Sequence, residues 1–147
     1  MFRHILLPTD GSVLAAKSVA AGIALAKETG ARVTGYFALE SIPVSYYGEM
    51  YALNESDIES MERRDRDIAE SHLARMKKEA EAAGVEFSSV ISTVPSAHIG
   101  VIDTARKRKC DVIFMASHGR SGVSRVIMGS VTQKVLTHSK VPVLVYR

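Results

Sequence analysis

The chain has 147 residues, 46% of them hydrophobic, a size and composition that suit one compact domain able to bury roughly two-thirds of the surface its unfolded form exposes. A single cysteine, Cys110, excludes an intramolecular disulfide, and no window reaches the ~18–20 apolar residues of a membrane span. With an N-terminal apolar run too short for a signal peptide, this leads to the expectation of a cytoplasmic protein that does not enter a membrane. The 19 basic and 16 acidic residues are spread along the chain, whereas nucleic-acid binders concentrate charge on one face, so no nucleic-acid partner is expected.

The apolar segment His4 to Asp10 (HILLPTD) predicts a buried strand broken by Pro8. Ser12 is placed to cap a helix to Thr29, whose Ala16, Val19, Ala20, Ile23 and Ala26 recur at intervals of three or four before Gly30 stops it. Arg32 to Glu40 is rich in strand-favouring residues. Ser41 to Asn54 has Pro43, Gly48 and Tyr46, Tyr47 and Tyr51 but no period, and is predicted as a long loop. Covering a ligand, meeting another subunit and packing loosely on the surface are all open to it.

Ser56 and Glu59 match a capping box for a second helix. Its apolar stripe runs through Ile58, Met61, Ile68, Leu73, Met76 and Ala80, is interrupted by Asp65, and ends at Gly84. The charged opposite face reads as a solvated surface. Glu86 to Val94 alternates as a strand, and Pro95-Ser96 opens a shorter helix carrying Ile99, Ile102 and Ala105. The run Arg106 to Lys109 ends that helix and complements its dipole. Asp111 to Ala116 is the continuous apolar strand of a parallel sheet interior. A last helix, Gly129 to His138, and a strand, Val141 to Tyr146, complete the chain. Strands alternating with helical crossovers of more than ten residues give a five-stranded parallel α/β sheet in a single domain over 1–147.

Open parallel sheets bind ligands beyond the carboxyl ends of their strands. Two segments fall there: Pro8 to Ser12, and Met115 to Ser130 (MASHGRSGVSRVIMGS). In the second, no lysine follows Gly122 or Gly129 as a P-loop requires, and Gly119, Ser121 and Val123 lack the last glycine of a nucleophile elbow. The dinucleotide fingerprint and zinc-like Cys/His spacing are absent, and His118 is the lone candidate base. The remaining features suit an anion. Gly119 and Gly122 permit close backbone approach, and Gly129-Ser130 opens a helix whose first N–H groups lack internal partners. The hydroxyls of Ser130 and Thr132 and the charges of Arg120 and Arg125 lie nearby in sequence. An ordinary strand-to-helix loop with an N-cap fits the same residues.

On these residues the chain resembles the universal stress protein family, whose ATP-binding members carry Gly, two residues, Gly, nine residues, then Gly-Ser or Gly-Thr. Here the run is Ala116, Ser117-His118, Gly119, nine residues, Gly129-Ser130. The likeness extends to HILLPTDGS near the start, FMASHGRSG after the fourth strand, GSVTQKVL on the last helix and VPVLVY near the end. It implies a three-layer α/β sandwich with strand order 3-2-1-4-5, similar to the adenine-nucleotide α-hydrolases, and binding of ATP or AMP. Carried over, Asp10 would meet the adenosine part, with Pro8 and Thr9 shaping the pocket and the backbone near Ala38 lining the adenine. Met115 and Ala116 would lie under the ribose and phosphates. Gly119, Gly129, Ser130, Val131 and Thr132 would hold the phosphate chain, with any Mg²⁺ held through the phosphates. Ala116 departs from the family glycine, which matters only where that position needs positive φ or very close approach.

The resemblance also implies a homodimer through Val141 to Tyr146. Val141, Val143 and Val145 on one side and Leu144 and Tyr146 on the other make both faces of this strand apolar, a hazard at a free edge that pairing would remove. The implied function is a regulatory stress-response module that binds adenine nucleotide. A slow ATPase or nucleotidyl-transfer enzyme, and a dimeric interaction protein without nucleotide, are the competing readings. Because the phosphate-side stretch has no Asp or Glu, no catalytic residue is assigned and at most weak ATP hydrolysis is expected.

Overall fold

The fold is read from a computed structural model that describes residues 1–41, 54–120 and 128–147. Strand β1 (His4–Pro8) runs between β2 (Arg32–Glu40) and β4 (Val112–Ala116), with Leu6 in register with Thr34 on one side and Ile113 on the other. Ile5, Leu6 and Leu7 are completely buried, which is why this strand is apolar without alternation. β3 (Phe87–Val94) extends the sheet beyond β2, and β5 (Val143–Tyr146) extends it beyond β4. All pairings are parallel, as expected from the alternation of elements, and the order is β3-β2-β1-β4-β5, as the family resemblance implies.

Side chains alternate between two apolar layers. Ile5, Leu7, Phe37 and Phe114 pack with Val19 and Ile23 of α1 (Val13–Thr29) and Leu73 and Met76 of α2 (Glu55–Ala83). Leu6, Tyr36, Ile113 and Met115 pack with Val101 and Ala105 of α3 (Ala97–Lys107) and Val135 of α4 (Ser130–His138). A two-residue period along the strands thus produces a helix layer on each face of the sheet.

Helix ends follow local chemistry. Ser12 Oγ accepts the Ala15 N–H at 3.2 Å, and Gly30 and Gly84 close α1 and α2 with φ of 70° and 73°. Where α3 ends no glycine is available, and Lys109 takes the left-handed region with φ of 55°. The capping box of α2 is not Ser56 with Glu59. Asn54 Oδ1 accepts the Asp57 N–H at 2.9 Å, and the Asp57 carboxylate accepts the Asn54 N–H at 3.3 Å. Asn54 and Asp57 satisfy the same reciprocal pattern two positions earlier, placing Ser56 inside the first turn.

The ladder of the last strand begins at Val143, not Val141. Pro142 has no N–H to give, and the Val141 N–H goes to Ser139 Oγ at 3.0 Å. The stripe predicted on α2 is buried only in its C-terminal half: Ala69, Leu73, Met76 and Ala80 are covered, while Met61 and Ile68 are 42% and 41% exposed. A 29-residue helix is about 43 Å long, but the nine residues of β2 span only about 30 Å. The N-terminal half of α2 therefore overhangs the carboxyl edge of the sheet.

Candidate functional site

Beneath that overhang, at the carboxyl ends of β1, β2 and β4, lies a cavity of about 520 Å³, within the size range of small-molecule sites. Its floor comes from Pro8 of β1 with Thr9 and Asp10 just after it, Tyr36 to Glu40 of β2, and Met115 and Ala116 of β4. Asp65 and Ile68 of α2 and Ala97 and Val101 of α3 form walls, and Gly129 to Thr132 close the far side.

The β1 and β4 loops are joined through Asp10. Its Oδ1 accepts the Ser12 N–H and its Oδ2 the Arg120 N–H, both at 2.9 Å. Arg120 Nε donates to the Asp10 carbonyl at 2.7 Å, and its guanidinium stands 5.9 Å from the centroid of Phe37. Phe37 in turn stacks on His72 of α2, with centroids 5.9 Å apart. The close approach depends on glycine: a Cβ on Gly119 would sit 2.5 Å from Asp10 Oδ2. Each Asp10 oxygen has a second acceptor position, so the carboxylate is oriented and still able to accept from a ligand hydroxyl or amine.

At the opposite end, Gly129 is the N-cap of α4, with φ −59° and ψ 147° and its own N–H donated to the Ser117 carbonyl at 2.8 Å. A Cβ there would lie 3.2 Å from both the Ser117 carbonyl oxygen and His118 Cα. The N–H groups of Ser130, Val131 and Thr132 precede the first intrahelical bond, Gln133 to Gly129. The positive end of the helix therefore opens on the cavity. The Thr132 hydroxyl donates to the Ala116 carbonyl at 2.9 Å, so its proton serves the strand end and only its backbone N–H is left for an anion. Ala116 pairs in register with Tyr146. Among the described residues only Lys109 is a non-glycine with positive φ, so Ala116 has ordinary strand geometry and its methyl adds to the cavity floor.

Tyr36 supplies a neutral polar group. Its hydroxyl bonds Ser92 Oγ at 2.8 Å, and burial raises its pKa above the ordinary tyrosine value. Gly100 of α3 makes room for it, since a Cβ there would overlap the hydroxyl. Glu40 is engaged at the α3 end, its carboxylate accepting the Ala97 N–H at 2.8 Å. His118 Nδ1 lies 2.9 Å from Ser117 Oγ.

The family model described as the universal stress protein family matches residues 1–147. The chain belongs to the universal stress protein family. Universal stress protein MJ0531 of Methanocaldococcus jannaschii is 30% identical over 148 residues, covering 100% of this chain and 83% of that protein. Among solved structures, MJ0577 of the same organism superposes with a TM-score of 0.73 at 26% identity, covering 99% of this chain and 95% of the other. A universal stress protein solved in complex with cAMP has a TM-score of 0.68 at 18% identity, covering 99% of this chain and 97% of that one. One from Archaeoglobus fulgidus in complex with dAMP has 0.61 at 15%, covering 100% and 98%. At those identities the two complexes speak to the fold.

In this universal stress protein the residues carried over from the family resemblance, Pro8, Thr9, Asp10, Ala38, Met115, Ala116, Gly119, Gly129, Ser130, Val131 and Thr132, line the same cavity. Arg120 lines the cavity too, and its N–H and guanidinium are bound to Asp10. Gly122 and Arg125, with the rest of 121–127, and the 42–53 portion of the predicted loop lie outside the described residues. Sequence reasoning missed the α2 wall, although Asp65 interrupting the apolar stripe was its signal. It also missed Gly11, whose φ of 81° lets the β1 loop press against His72; the signal was a glycine between Asp10 and the helix cap.

Proposed function

We propose that the cavity binds an adenine nucleotide, ATP or AMP, with adenosine at the Asp10 and Ala38 end and phosphates at the N-terminus of α4. The observation that carries this reading is the pairing of opposite chemistries across one cavity: an oriented carboxylate at Asp10 and the first-turn N–H groups of Ser130, Val131 and Thr132, which have no partner among the described residues. An acceptor suits ribose hydroxyls or an exocyclic amine and repels phosphate, while a helix N-terminus attracts it. The cAMP and dAMP complexes of related proteins lend support to the adenine class. No acidic side chain lies between Met115 and Thr132, so on this reading Mg²⁺ accompanying ATP is held through the phosphates and at most weak hydrolysis accompanies binding.

On this reading nucleotide occupancy biases a cytoplasmic homodimer, paired through Val141 to Tyr146, toward or away from a partner in the stress response. β5 lies at an edge of the sheet with Leu144 36% exposed, which supports pairing there. Denaturing freshly purified protein and chromatographing the released small molecules beside ATP, ADP and AMP standards tests the ligand. Release of ATP or AMP, or saturable binding on addition, is expected. Neither release nor binding would overturn the nucleotide reading, and a monomer in sedimentation at micromolar concentration would overturn the dimer.

A further inference from the structure

Apart from the cavity lining, two histidines from different helices meet. His98, in the first turn of α3, and His138, the last residue of α4, have ring centroids 6.0 Å apart and planes inclined by 42°. His138 Nδ1 lies 2.8 Å from the Lys134 carbonyl. A carbonyl only accepts, so Nδ1 carries the proton and Nε2 keeps its lone pair. His98 Nδ1 lies 2.8 Å from Ser96 Oγ. Ser96 occupies the N-cap position of α3 but makes no capping hydrogen bond; its hydroxyl is turned to the imidazole, and Glu40 accepts the Ala97 N–H beside it. Neither Nε2 has a hydrogen-bond partner among the described residues.

We propose that His98 and His138 form a two-imidazole site for a borderline divalent transition-metal ion, Zn²⁺ or Ni²⁺, completed by water. An oxygen partner on Nδ1 of each ring is the arrangement that orients metal-binding histidines and directs Nε2 to the ion. Metal–nitrogen bonds of about 2 Å place the centroids of two imidazoles on one tetrahedral ion roughly 5 Å apart. The observed centroid separation of 6.0 Å exceeds that by about 1 Å, and the His138 ring is exposed. Imidazole donors suit these ions and not Mg²⁺ or Ca²⁺.

Electrostatics act in both directions. Partial burial, Lys134 and His138 lower the His98 pKa below the ordinary imidazole value, with Glu40 opposing. Lys134, the charged group facing the pair from α4, repels a cation, and Glu40 attracts it. Among the described residues no group of three or more His, Cys, Asp or Glu side chains is arranged around an ion, so the two imidazoles supply all the protein donors described.

The test uses the full, tag-free chain stripped with chelator and titrated calorimetrically with ZnCl₂, and separately with NiCl₂, at about pH 7.5, where imidazoles are largely neutral. Saturable binding of one ion per chain is expected, lost in His98→Ala and in His138→Ala, tightened in Lys134→Gln, and weakened as pH falls toward the imidazole range. Thermal melts of the metal-free variants establish that each is folded. Absence of saturable binding to the wild-type chain, or its retention in either histidine variant, overturns the site.

Discussion

Replacing Gly129 by Asp separates phosphate binding from folding at a single position. Gly129 has φ −59° and ψ 147°, a conformation that aspartate adopts readily as an N-cap, where its carboxylate accepts an N–H from the second or third helical residue. The new Cβ meets Ser117 O and His118 Cα at 3.2 Å, so the neighbours must give by a few tenths of an ångström. The cap bond, of about 1 kcal/mol, offsets that crowding. The melting temperature of the nucleotide-free variant should stay within about 5 °C of wild type. The nucleotide meets a different situation. A carboxylate in the first turn occupies the N–H groups of Val131 or Thr132 and stands about 5 Å from a phosphate. At an effective dielectric constant of about 20, repulsion between two unit charges at that distance is roughly 3 kcal/mol. A loss of about 100-fold in affinity for ATP and AMP follows, since each 1.4 kcal/mol is tenfold. Adenosine, which lacks phosphate, should lose little. Calorimetric titration of the folded variant with ATP, AMP and adenosine makes the comparison. ATP affinity within about threefold of wild type, or an adenosine loss as large as that of ATP, would refute the placement of phosphate at the α4 N-terminus.

Gly119→Ala should break the loop-to-loop link, because the new methyl at 2.5 Å displaces the Asp10 carboxylate from the Arg120 N–H. Losing that charge-assisted bond costs about 1–3 kcal/mol, to be measured by urea denaturation, and adenosine affinity should fall along with it; an unchanged midpoint and affinity would count against the link. Cys110 is 6% exposed and its thiol is pushed up to about 11, mainly by burial, so it should resist an aromatic disulfide reagent at pH 8 and react only in denaturant. Prompt reaction of the folded protein would contradict its place in the core. His4 is buried with Nε2 2.7 Å from Thr34 Oγ1 and no hydrogen-bond partner for Nδ1 among the described residues, and desolvation, aided by Arg32, holds its pKa below the ordinary value of 6.5. The unfolded chain then binds the proton more readily than the folded one, so stability present above pH 6.5 is lost as pH falls below it. Denaturant midpoints at decreasing pH should fall less steeply in His4→Asn than in wild type; parallel slopes would show that another group carries the effect.

Local signals in the sequence were sufficient for elements whose chemistry is local. Gly30 and Gly84 stop their helices because αL geometry is available there to glycine without penalty, and the uninterrupted Ile5-Leu6-Leu7 run marks a strand covered on both faces. Where two solutions share one pattern, local reading cannot choose. Asn54 with Asp57 and Ser56 with Glu59 offer the same reciprocal cap, and the helix forms from the earlier pair. The site divides along the same line. Glycines, Asp10 and the α4 N-terminus lie in segments that topology sends to one end of the sheet, so their meeting follows from strand order. Arg120 on Asp10 is separated by 110 positions, and nothing in its neighbourhood distinguishes an arginine that binds a loop carboxylate from one that awaits a phosphate. The same limit hid the Thr132 hydroxyl, whose proton goes to Ala116, and it makes Ala116 intelligible. The strand position of Ala116 does not ask for positive φ, so what its methyl changes relative to glycine is the cavity floor. An Ala116→Gly variant that binds nucleotide no differently would mean that the floor at this position does not touch the ligand.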